Sequence, residues 1–408
     1  MTKTTASVAS IPVFVAALGY FVDIYDLLLY TIVRVPSLKS LGLGDAEIRD
    51  KGLHIINVQM LGMLLGGILW GMLGDKKGRL SVLFGSILLY SAANICNGFV
   101  QTVDQYAWAR FVAGLGLAGE LGAGITLVSE ILPKEKRGIG TSLVAGVGLS
   151  GAVIAYFISR AFDWRTCYFI GGGLGVILLI LRISVAESGM FAEIRQQNVS
   201  KGNFLRFFTN GARFRKYGLS ILIGLPTWYV IGILVSFSRE FGKAFGISEE
   251  IEPGKAIMYA YAGIAVGDIL VGLLSQVLRS RKKALFIFYG LNIISVILYF
   301  TQAGRSASFM YAACAALGFS TGYWAIFVTM GAEQFGTNLR ATAATTIPNM
   351  VRGSLPLISL LFKDYLQMTL GYNILKSGII TGTIVIAVTL VAAWFTEETF
   401  TKDLNYTE

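Results

Sequence analysis

The sequence predicts an all-α integral membrane protein whose twelve transmembrane helices form two pseudo-symmetric six-helix bundles. Of the 408 residues, 54% are hydrophobic and 14% are charged, whereas about 25% of the residues of an ordinary soluble domain are charged. Apolar segments of membrane-spanning length recur along the chain, and two motifs of its first half return in its second half. This composition excludes a soluble enzyme.

The predicted spans fall into two groups. Five segments carry no charge: residues 80–103, 217–238, 284–304, 306–332 and 377–396. Allowing a few internal charges adds seven more: residues 11–33, 53–74, 107–129, 138–158, 166–181, 257–278 and 341–361. Crossing ~30 Å of hydrocarbon takes ~20 residues, and a backbone in lipid must satisfy its own hydrogen bonds. Because the segments are continuously apolar and do not alternate, they are predicted to be helices.

The basic residues are distributed unevenly between the loops. The chain has 34 Lys and Arg against 24 acidic residues, a formal net charge of +10. If both termini are cytoplasmic, the inner loops hold more of the basic residues than the outer loops, as the positive-inside rule requires. The positive net charge is therefore explained without a nucleic-acid partner, and the expected partner is a lipid bilayer. The first apolar segment is too long for a cleaved signal and lacks a small-residue cleavage site. A bacterial inner membrane is the expected location.

The two halves of the sequence repeat. Residues 71–79 read GMLGDKKGR and residues 272–283 read GLLSQVLRSRKK, an offset of 201, while residues 130–138 and 333–341 read EILPKEKRG and EQFGTNLRA, an offset of 203. The repeat predicts an N-terminal bundle over residues 1–185, a cytoplasmic linker over 186–216 and a C-terminal bundle over 217–408. Such an arrangement is typical of alternating-access transporters. A monomer is expected, since one chain carries both halves of the pathway.

Three motifs resemble the major facilitator superfamily, and the resemblance covers the whole chain. The loop between spans 2 and 3 is similar to the family's GxxxD(K)xGR signature, span 4 opens with RFVAGLGLAG, and the segment after span 4 is similar to ExxPxxxRG. The residues that carry these motifs are Gly71, Asp75, Lys76, Gly78, Arg79, Arg110, Glu130, Pro133, Arg137 and Gly138. The resemblance implies a transporter.

The resemblance also implies a gate that closes the cytoplasmic side. Glycines permit close helix approach, and Asp75 can bond Arg137 and meet a helix N-terminus. The alternative is a solvated basic turn that only obeys the topology rule. Gln276 replaces the aspartate in the second half, so that gate is expected to be weaker. The predicted gating residues are Gly71, Asp75, Arg79, Glu130, Arg137, Glu333 and Arg340.

Buried carboxylates in spans 1 and 4 predict a proton site. Asp23 and Asp26 lie three residues apart on one helix face, and ionisable groups at this depth usually line a cavity or a proton path. Tyr25 and Asp26 resemble the tyrosine-aspartate pair of proton-coupled members, which implies Arg110 as partner of Asp26. Glu120, in AGELGAG, resembles the GGEWGG stretch of metabolite-proton symporters. A static Asp26–Arg110 ion pair is the alternative, and the order among the three carboxylates stays open.

Arg352 is the candidate for binding substrate. A permanently charged guanidinium inside span 11 needs an anion, either a substrate carboxylate or a structural partner such as Asp268 or a helix end. Asn349 lies three residues earlier on the same helix face. Aromatic side chains are further candidates for the cavity wall, although Trp and Tyr also anchor helices at membrane interfaces. The aromatic candidates are Tyr25, Trp228, Tyr323 and Trp324.

The preferred hypothesis is a proton-coupled symporter of a small organic anion of the carboxylate type. A sugar or polyol carrier, an uncoupled facilitator and a transporter-like sensor are the alternatives. A membrane-embedded enzyme is disfavoured by a single histidine and by the absence of clustered intramembrane cysteines. Cys96, Cys167 and Cys314 have no paired spacing, so neither a disulfide nor a zinc site is expected. No GxxxxGK loop and no cofactor signature occur.

Overall fold

The structure is a computed structural model that describes residues 10–77, 79–120, 137–187, 204–400 and 402. All regular secondary structure within these ranges is helical, as the sequence predicts. Consecutive long helices alternate in direction. The loop after the first helix contains Gly42, so we call the molecular face on which this loop lies the Gly42 face. The opposite face, at which the second helix ends, is called the Lys77 face.

The first half of the chain contributes six long helices, the fourth of which leads into residues 121–136, outside the described ranges. Their bounds are α1 (Ile11–Ser40), α2 (Asp45–Lys77), α3 (Arg79–Asn97), α4 (Val103–Leu117), α5 (Arg137–Ala161) and α6 (Trp164–Glu187). In this bundle α1 packs on α5 and α6, and α3 and α4 pack on each other.

The second half begins with a short 3₁₀-helix, Phe204–Phe208, and contains ten α-helices. Their bounds are α7 (Gly211–Leu222), α8 (Leu225–Tyr229), α9 (Ser238–Ala244), α10 (Pro253–Leu278), α11 (Arg281–Phe300), α12 (Ala307–Thr321), α13 (Trp324–Glu333), α14 (Thr337–Arg352), α15 (Leu355–Ser359) and α16 (Ile374–Phe395). Two π-helical segments, Val230–Val235 and Leu360–Thr369, continue α8 and α15.

Three spans of the second bundle are broken near their middle. One break separates α7 from α8, a second separates α12 from α13, and a third separates α14 from α15. Pro226 and Pro356 stand in the first turn after the first and third breaks, where a missing N–H costs nothing. Interrupted backbone at this depth is tolerated only where protein or a cavity surrounds it. The breaks therefore point to the centre of the molecule as the functional region.

The structure changes several predicted boundaries. Nine helical segments of the described ranges are long and apolar enough to cross a membrane. The other three predicted spans are the short α3, the partly described α4, and the span broken between α14 and α15. Helix α1 continues past its predicted end at residue 33 because Arg34 is buried against the second bundle. Helix α7 begins at Gly211, inside the predicted linker.

Glycines bring two pairs of helices into backbone contact, and they do so at equivalent positions of both halves. A Cβ atom on Gly62 or Gly66 of α2 would overlap the carbonyl oxygens of Phe111 or Leu115 in α4. In the second half, a Cβ on the glycines at 263 and 267 of α10 would overlap the carbonyls at 315 and 319 of α12. The glycines are 201 residues apart and the carbonyls 204. The sequence repeat thus has a counterpart in helix packing.

The two bundles meet along α2 and α14 and along α5 and α10. At the Gly42 face, charged side chains join the first bundle to the second. The ion pairs are Arg34–Glu240 at 2.9 Å, Asp45–Lys243 at 2.8 Å, Asp45–Arg239 at 3.3 Å, Asp50–Lys363 at 3.1 Å and Arg160–Glu252 at 3.2 Å. The bundles are therefore closed against each other at this face.

Candidate functional site

Charged side chains are buried at the centre of the molecule. The fully or almost fully buried ones that bear on the predicted site are Asp23, Asp26, Arg110, Glu120, Arg182 and Arg352. A charge removed from water is costly unless it is paired or faces a cavity. Each of these groups therefore has to be explained by its partners.

Asp26 and Arg110 form an ion pair inside the first bundle. Arg110 Nη1 donates to Asp26 Oδ1 at 2.9 Å, and Nη2 donates to the Asp26 carbonyl at 3.0 Å. Asn94 and Gln59 accept the remaining guanidinium bonds, at 3.1 and 3.3 Å. Tyr168 places its ring 5.5 Å from the guanidinium carbon. Asp26 Oδ2 stays buried without a hydrogen-bond partner, so the carboxylate is less fully satisfied than the guanidinium.

Glu120 is held by Arg182. The two guanidinium nitrogens of Arg182 donate to the two carboxylate oxygens, with Nη1 at 2.9 Å from Oε2. A Cβ atom on Gly19 of α1 would overlap both side chains, so glycine is needed there. The sequence analysis missed Arg182 because the predicted sixth span ends at residue 181. The signal was present, since Arg182 is a single cation within the apolar run LLILRISVA.

Asp23 is fully buried, and it has no hydrogen-bond or ion-pair partner among the described residues. Neither carboxylate oxygen makes a hydrogen bond, and both are sealed from solvent. Arg352 is the cation with the strongest electrostatic interaction with Asp23, followed among charged neighbours by Glu120, Asp26 and Arg182. Asp23 thus interacts with the ion pairs of the first bundle and with the arginine of the second.

Arg352 ends α14 at the break in that span. Its guanidinium carbon lies 5.7 Å from the centre of the Trp324 ring, and Nη1 donates to Asn349 Oδ1 at 3.5 Å. Nε has no hydrogen-bond partner. Asp268, the alternative protein partner, forms no ion pair with Arg352 in the described part of the chain, and its Oδ1 accepts the backbone N–H of Ala325 at 2.9 Å. Among the described residues, Arg352 forms no ion pair with a carboxylate.

Asn349 connects the two bundles. Its Nδ2 donates to the carbonyl of Ala118 at 2.8 Å, where α4 ends, and to the carbonyl of Thr345 at 3.0 Å. Gly67 of α2 leaves room for this side chain, since a Cβ atom there would lie 2.6 Å from the Asn349 Cβ. The amide therefore fills an interhelical contact and reaches Arg352 only through Oδ1.

The aromatic candidates separate into two sets. The hydroxyl of Tyr25 donates to the carbonyl of Cys167 at 2.9 Å inside the first bundle. Tyr323 packs its ring 5.1 Å from that of Tyr289 within the second bundle. Trp228 is buried, and its Nε1 has no partner. Of the four predicted residues, Trp324 is the one that contacts Arg352.

Two tyrosines beyond these four interact with the same central charges. Tyr20 of α1 interacts electrostatically with Arg352, Asp268 and Asp23, and Tyr261 of α10 interacts with Arg352 and Asp23. Tyr20 lies three residues before Asp23, on one helix face, which is the signal that could have identified it.

The predicted gating residues are only partly described. Glu333 accepts from Arg281 Nε and Nη2 at 2.6 and 2.8 Å and from Thr399 Oγ1 at 2.7 Å, at the Lys77 face. Gly71 packs against Thr346 of α14. Arg340 Nη2 donates to the carbonyl of Phe335 at 3.3 Å. Glu130 and the side chains of Asp75, Arg79 and Arg137 lie outside the described part of the chain.

The described residues contain no cluster of three or more His, Cys, Asp or Glu side chains that could hold a metal ion. What the centre offers is a cation without an ion-pair partner, an unpartnered carboxylate, and aromatic walls at broken helices. These groups can bind a small anion and exchange a proton.

Comparisons with known proteins agree with this architecture. The sequence profile of the Major Facilitator Superfamily matches residues 13–359. The chain is 27% identical to the niacin transporter NiaP of Acinetobacter baylyi over 81% of each chain. It is 24% identical to the gentisate transporter of Corynebacterium glutamicum over 79% of this chain and 73% of that one. The structure of the proton:xylose symporter XylE superposes with a TM-score of 0.67 at 16% identity and covers 97% of both chains.

The predicted fold class is confirmed by these matches, with twelve transmembrane helices in two bundles. The prediction that the chain is not an enzyme is confirmed as well, since the family and the relatives are transporters. The sequence, its helical architecture and these similarities show that the chain is a multi-pass membrane transporter of the Major Facilitator Superfamily.

Proposed function

We propose that the chain carries small aromatic carboxylates across the membrane in symport with protons. Arg352 carries the substrate part of this proposal, because it is buried at a helix break, forms no ion pair with any carboxylate that the structure describes, and lies beside Trp324. A guanidinium recognises a carboxylate by two parallel hydrogen bonds, and an indole ring can stack on an aromatic substrate. Niacin and gentisate, the substrates named for two relatives, are both aromatic carboxylic acids.

Asp23 supplies the coupling. Arg352 is the charged group that interacts most strongly with the Asp23 carboxylate. A substrate carboxylate on Arg352 adds a second negative charge beside Asp23, which is unfavourable in a buried site unless Asp23 takes up a proton. Anion binding and protonation therefore favour each other, which is the reciprocity that linkage demands. One proton then accompanies each anion.

The two ion pairs of the first bundle have different roles in this proposal. Asp26 keeps one oxygen without a partner beside Arg110, so it can relay a proton to or from Asp23, three residues away. Glu120 is held through both oxygens by Arg182. We assign this second pair to the positioning of α4 and α6 rather than to proton exchange, because a bidentate guanidinium favours the charged carboxylate.

Alternating access follows from the contacts between the bundles. With both termini in the cytoplasm, the Gly42 face is the outer face, and its ion pairs hold the protein closed to the outside. Opening outward requires these pairs to break while a gate forms at the Lys77 face. In this proposal Asp75, Arg79, Glu130 and Arg137 belong to that gate in the first half. Glu333, which Arg281 already holds within the second bundle, belongs to its counterpart.

The inner membrane of a bacterium fits the bacterial relatives and the basic inner loops. The two bundles are the moving units, the first ending with α6 at Glu187 and the second including α7 from Gly211, and a monomer suffices because both lie on one chain.

Transport into proteoliposomes tests the proposal. The purified protein is reconstituted, and uptake of labelled nicotinate, gentisate and xylose is followed with an alkaline interior and with equal pH on both sides. We expect a carboxylate to accumulate only with the pH gradient, and Arg352→Ala to abolish that uptake. The exposed Arg305, on the Gly42 face, provides the control variant Arg305→Ala. Gradient-independent uptake of xylose without carboxylate uptake would refute the proposal.

A further inference from the structure

A carboxylate lies beside the break between α12 and α13, at the start of α13. Close glycine packing of α10 on α12 continues to the break itself, where a Cβ atom on Gly322 would lie 2.6 Å from the Gly267 Cα. The next residue of α10 is Asp268, and its Oδ1 accepts the N–H of Ala325 in the first turn of α13 at 2.9 Å. The free N–H groups at a helix start need such an acceptor.

Only one oxygen of Asp268 is used in this way. Within the described residues Oδ2 makes no hydrogen bond, and it is not among the buried polar atoms that lack a partner, so it retains access to open space. Tyr261 lies seven residues earlier on α10, on the same face two turns away. Both side chains interact electrostatically with the central cluster, Tyr261 with Arg352 and Asp23, and Asp268 with Tyr20.

Trp324 joins this carboxylate to the anion site. Arg352 lies 5.7 Å from the Trp324 ring, while Asp268 bonds the backbone of the following residue. A cation without an ion-pair partner and a carboxylate with one unused oxygen thus flank the same turn of α13. A flat substrate beside Trp324 would meet an anion-binding group at one edge and a hydrogen-bond acceptor at another.

We propose that Asp268 is a specificity-determining residue whose Oδ2 accepts a hydrogen bond from a hydroxyl or N–H donor on the ring of the transported carboxylate. This inference rests on the proposed function, since it needs an aromatic anion held at Arg352. It selects hydroxylated acids over unsubstituted or alkylated ones. Once a bound substrate covers this oxygen, an acceptor left without its donor is penalised, and such sites discriminate more strongly than apolar pockets do.

Ligand pairs test the inference on the unmodified protein. Each compound competes, unlabelled, against the uptake of a labelled carboxylate into proteoliposomes. The compounds are 3- and 4-hydroxybenzoate, benzoate and the matching methoxybenzoates. We expect at least one hydroxy acid to compete at ~10-fold lower concentration than its methyl ether, a ratio that one lost hydrogen bond to a charged group gives. Equal competition by both members of every pair would overturn the inference.

The variant Asp268→Asn distinguishes recognition of the substrate from capping of α13. Asparagine keeps an oxygen for the Ala325 N–H but places an amide donor where Oδ2 stood. We expect the ratio between the competing concentrations of the methoxy acid and the hydroxy acid to fall ~10-fold. The concentration at which benzoate competes should stay within about twofold of wild type. An unchanged ratio with intact benzoate binding would show that Asp268 only caps α13. Absence of competition by any carboxylate in the wild type would instead refute the proposed function, and the inference with it.

Discussion

Arg34 of α1 and Glu240 of α9 form an ion pair of 2.9 Å across the two bundles, at the Gly42 face. The guanidinium is fully buried, lies 4.3 Å from the centre of the Phe237 ring and also donates to the Ser236 carbonyl at 3.1 Å. Its Nε and Nη1 have no hydrogen-bond partner in the described ranges. One buried side chain of the first bundle is therefore tied to two consecutive elements of the second.

Glu240→Gln should weaken closure at this face. The substitution removes the charge that compensates a buried guanidinium, and breaking a buried pair is costly. The cost applies only while Arg34 is buried, so the open state gains population. We expect maleimide labelling of a cysteine placed at Ile32, which is buried between the bundles, to be ~10-fold faster, as a shift of about 1.4 kcal/mol would give.

Arg49→Ala is the matched control for this prediction. Arg49 pairs with Asp50 on the same helix, and both side chains are about half exposed. Exposed pairs contribute about 0–1 kcal/mol, and Asp50 keeps its bond to Lys363 across the bundles. Labelling equal to wild type is expected. Faster labelling in the control than in Glu240→Gln would contradict the prediction that the Arg34–Glu240 pair holds this face closed.

Arg182→Met should strongly destabilise the protein, because it leaves Glu120 buried without its bidentate partner. Loss of one member of a buried ion pair costs about 3–5 kcal/mol. Adding Glu120→Gln should restore most of the loss, since no charge is then left uncompensated. The apparent Tm in detergent, measured for both single variants and the double variant, checks this. Additive losses would mean that the two side chains do not depend on each other.

Gly263→Ala should destabilise the second bundle. A Cβ atom at this position would overlap the carbonyl oxygen of Ala315, so α10 and α12 must separate. Overpacking of this kind costs about 1–3 kcal/mol. Gly290→Ala in α11 is the control, because no atom lies within 4 Å of its added Cβ. Alanine in a helix is more stable than glycine by about 0.5–1 kcal/mol, so the control should raise the Tm slightly. A change in Tm of the same sign in both variants would refute the close packing of α10 on α12.

Glu398 should make the Lys77 face sensitive to acid. Burial raises the pKa of this carboxyl, but hydrogen bonds from Ser280 and from the backbone N–H groups of Phe400, Lys282 and Arg281 outweigh it and hold the pKa below its ordinary value. A depressed pKa contributes stability above the unfolded pKa of about 4.3. That contribution is lost as the pH falls through the folded value.

The measurement is the Tm of wild type and Glu398→Gln from pH 7 down to pH 3. The wild type should be the more stable at neutral pH, and the difference should shrink below about pH 4.3, the unfolded value. A difference that stays constant over the whole range would show that the charge of Glu398 contributes nothing at the start of α11.

The sequence predicted the spans and the repeat well, because hydrophobic length and motif spacing are properties of the chain itself. It also proposed Arg110 as the partner of Asp26, because the resemblance of Tyr25 and Asp26 to the tyrosine-aspartate pair of proton-coupled members implied it. What it missed depends on three-dimensional packing. The partner of Glu120 lay one residue beyond a predicted span. Asp268 could be recognised as the acceptor of Ala325 only once α10 and α12 were placed in contact.

Asp23→Asn should abolish coupling without unfolding the protein. Asp23 has no partner to lose, so a neutral amide should leave the Tm unchanged or raise it, whereas Asp26→Asn strands Arg110 and should lower the Tm. In the wild type, affinity for the carboxylate should rise as the pH falls, because protonation of Asp23 removes the charge that competes for Arg352.

In Asp23→Asn that affinity should no longer vary with pH, and carboxylate exchange should persist while accumulation driven by the pH gradient is lost. Asp104→Asn, at the exposed start of α4, is the control and should retain both the pH dependence and accumulation. The charged groups that interact with Asp23 are Arg352, Glu120, Asp26 and Arg182. Because two of them are carboxylates, a surviving pH dependence in Asp23→Asn would transfer the proton site to Asp26 or Glu120. Full accumulation by Asp23→Asn would remove Asp23 from the coupling mechanism.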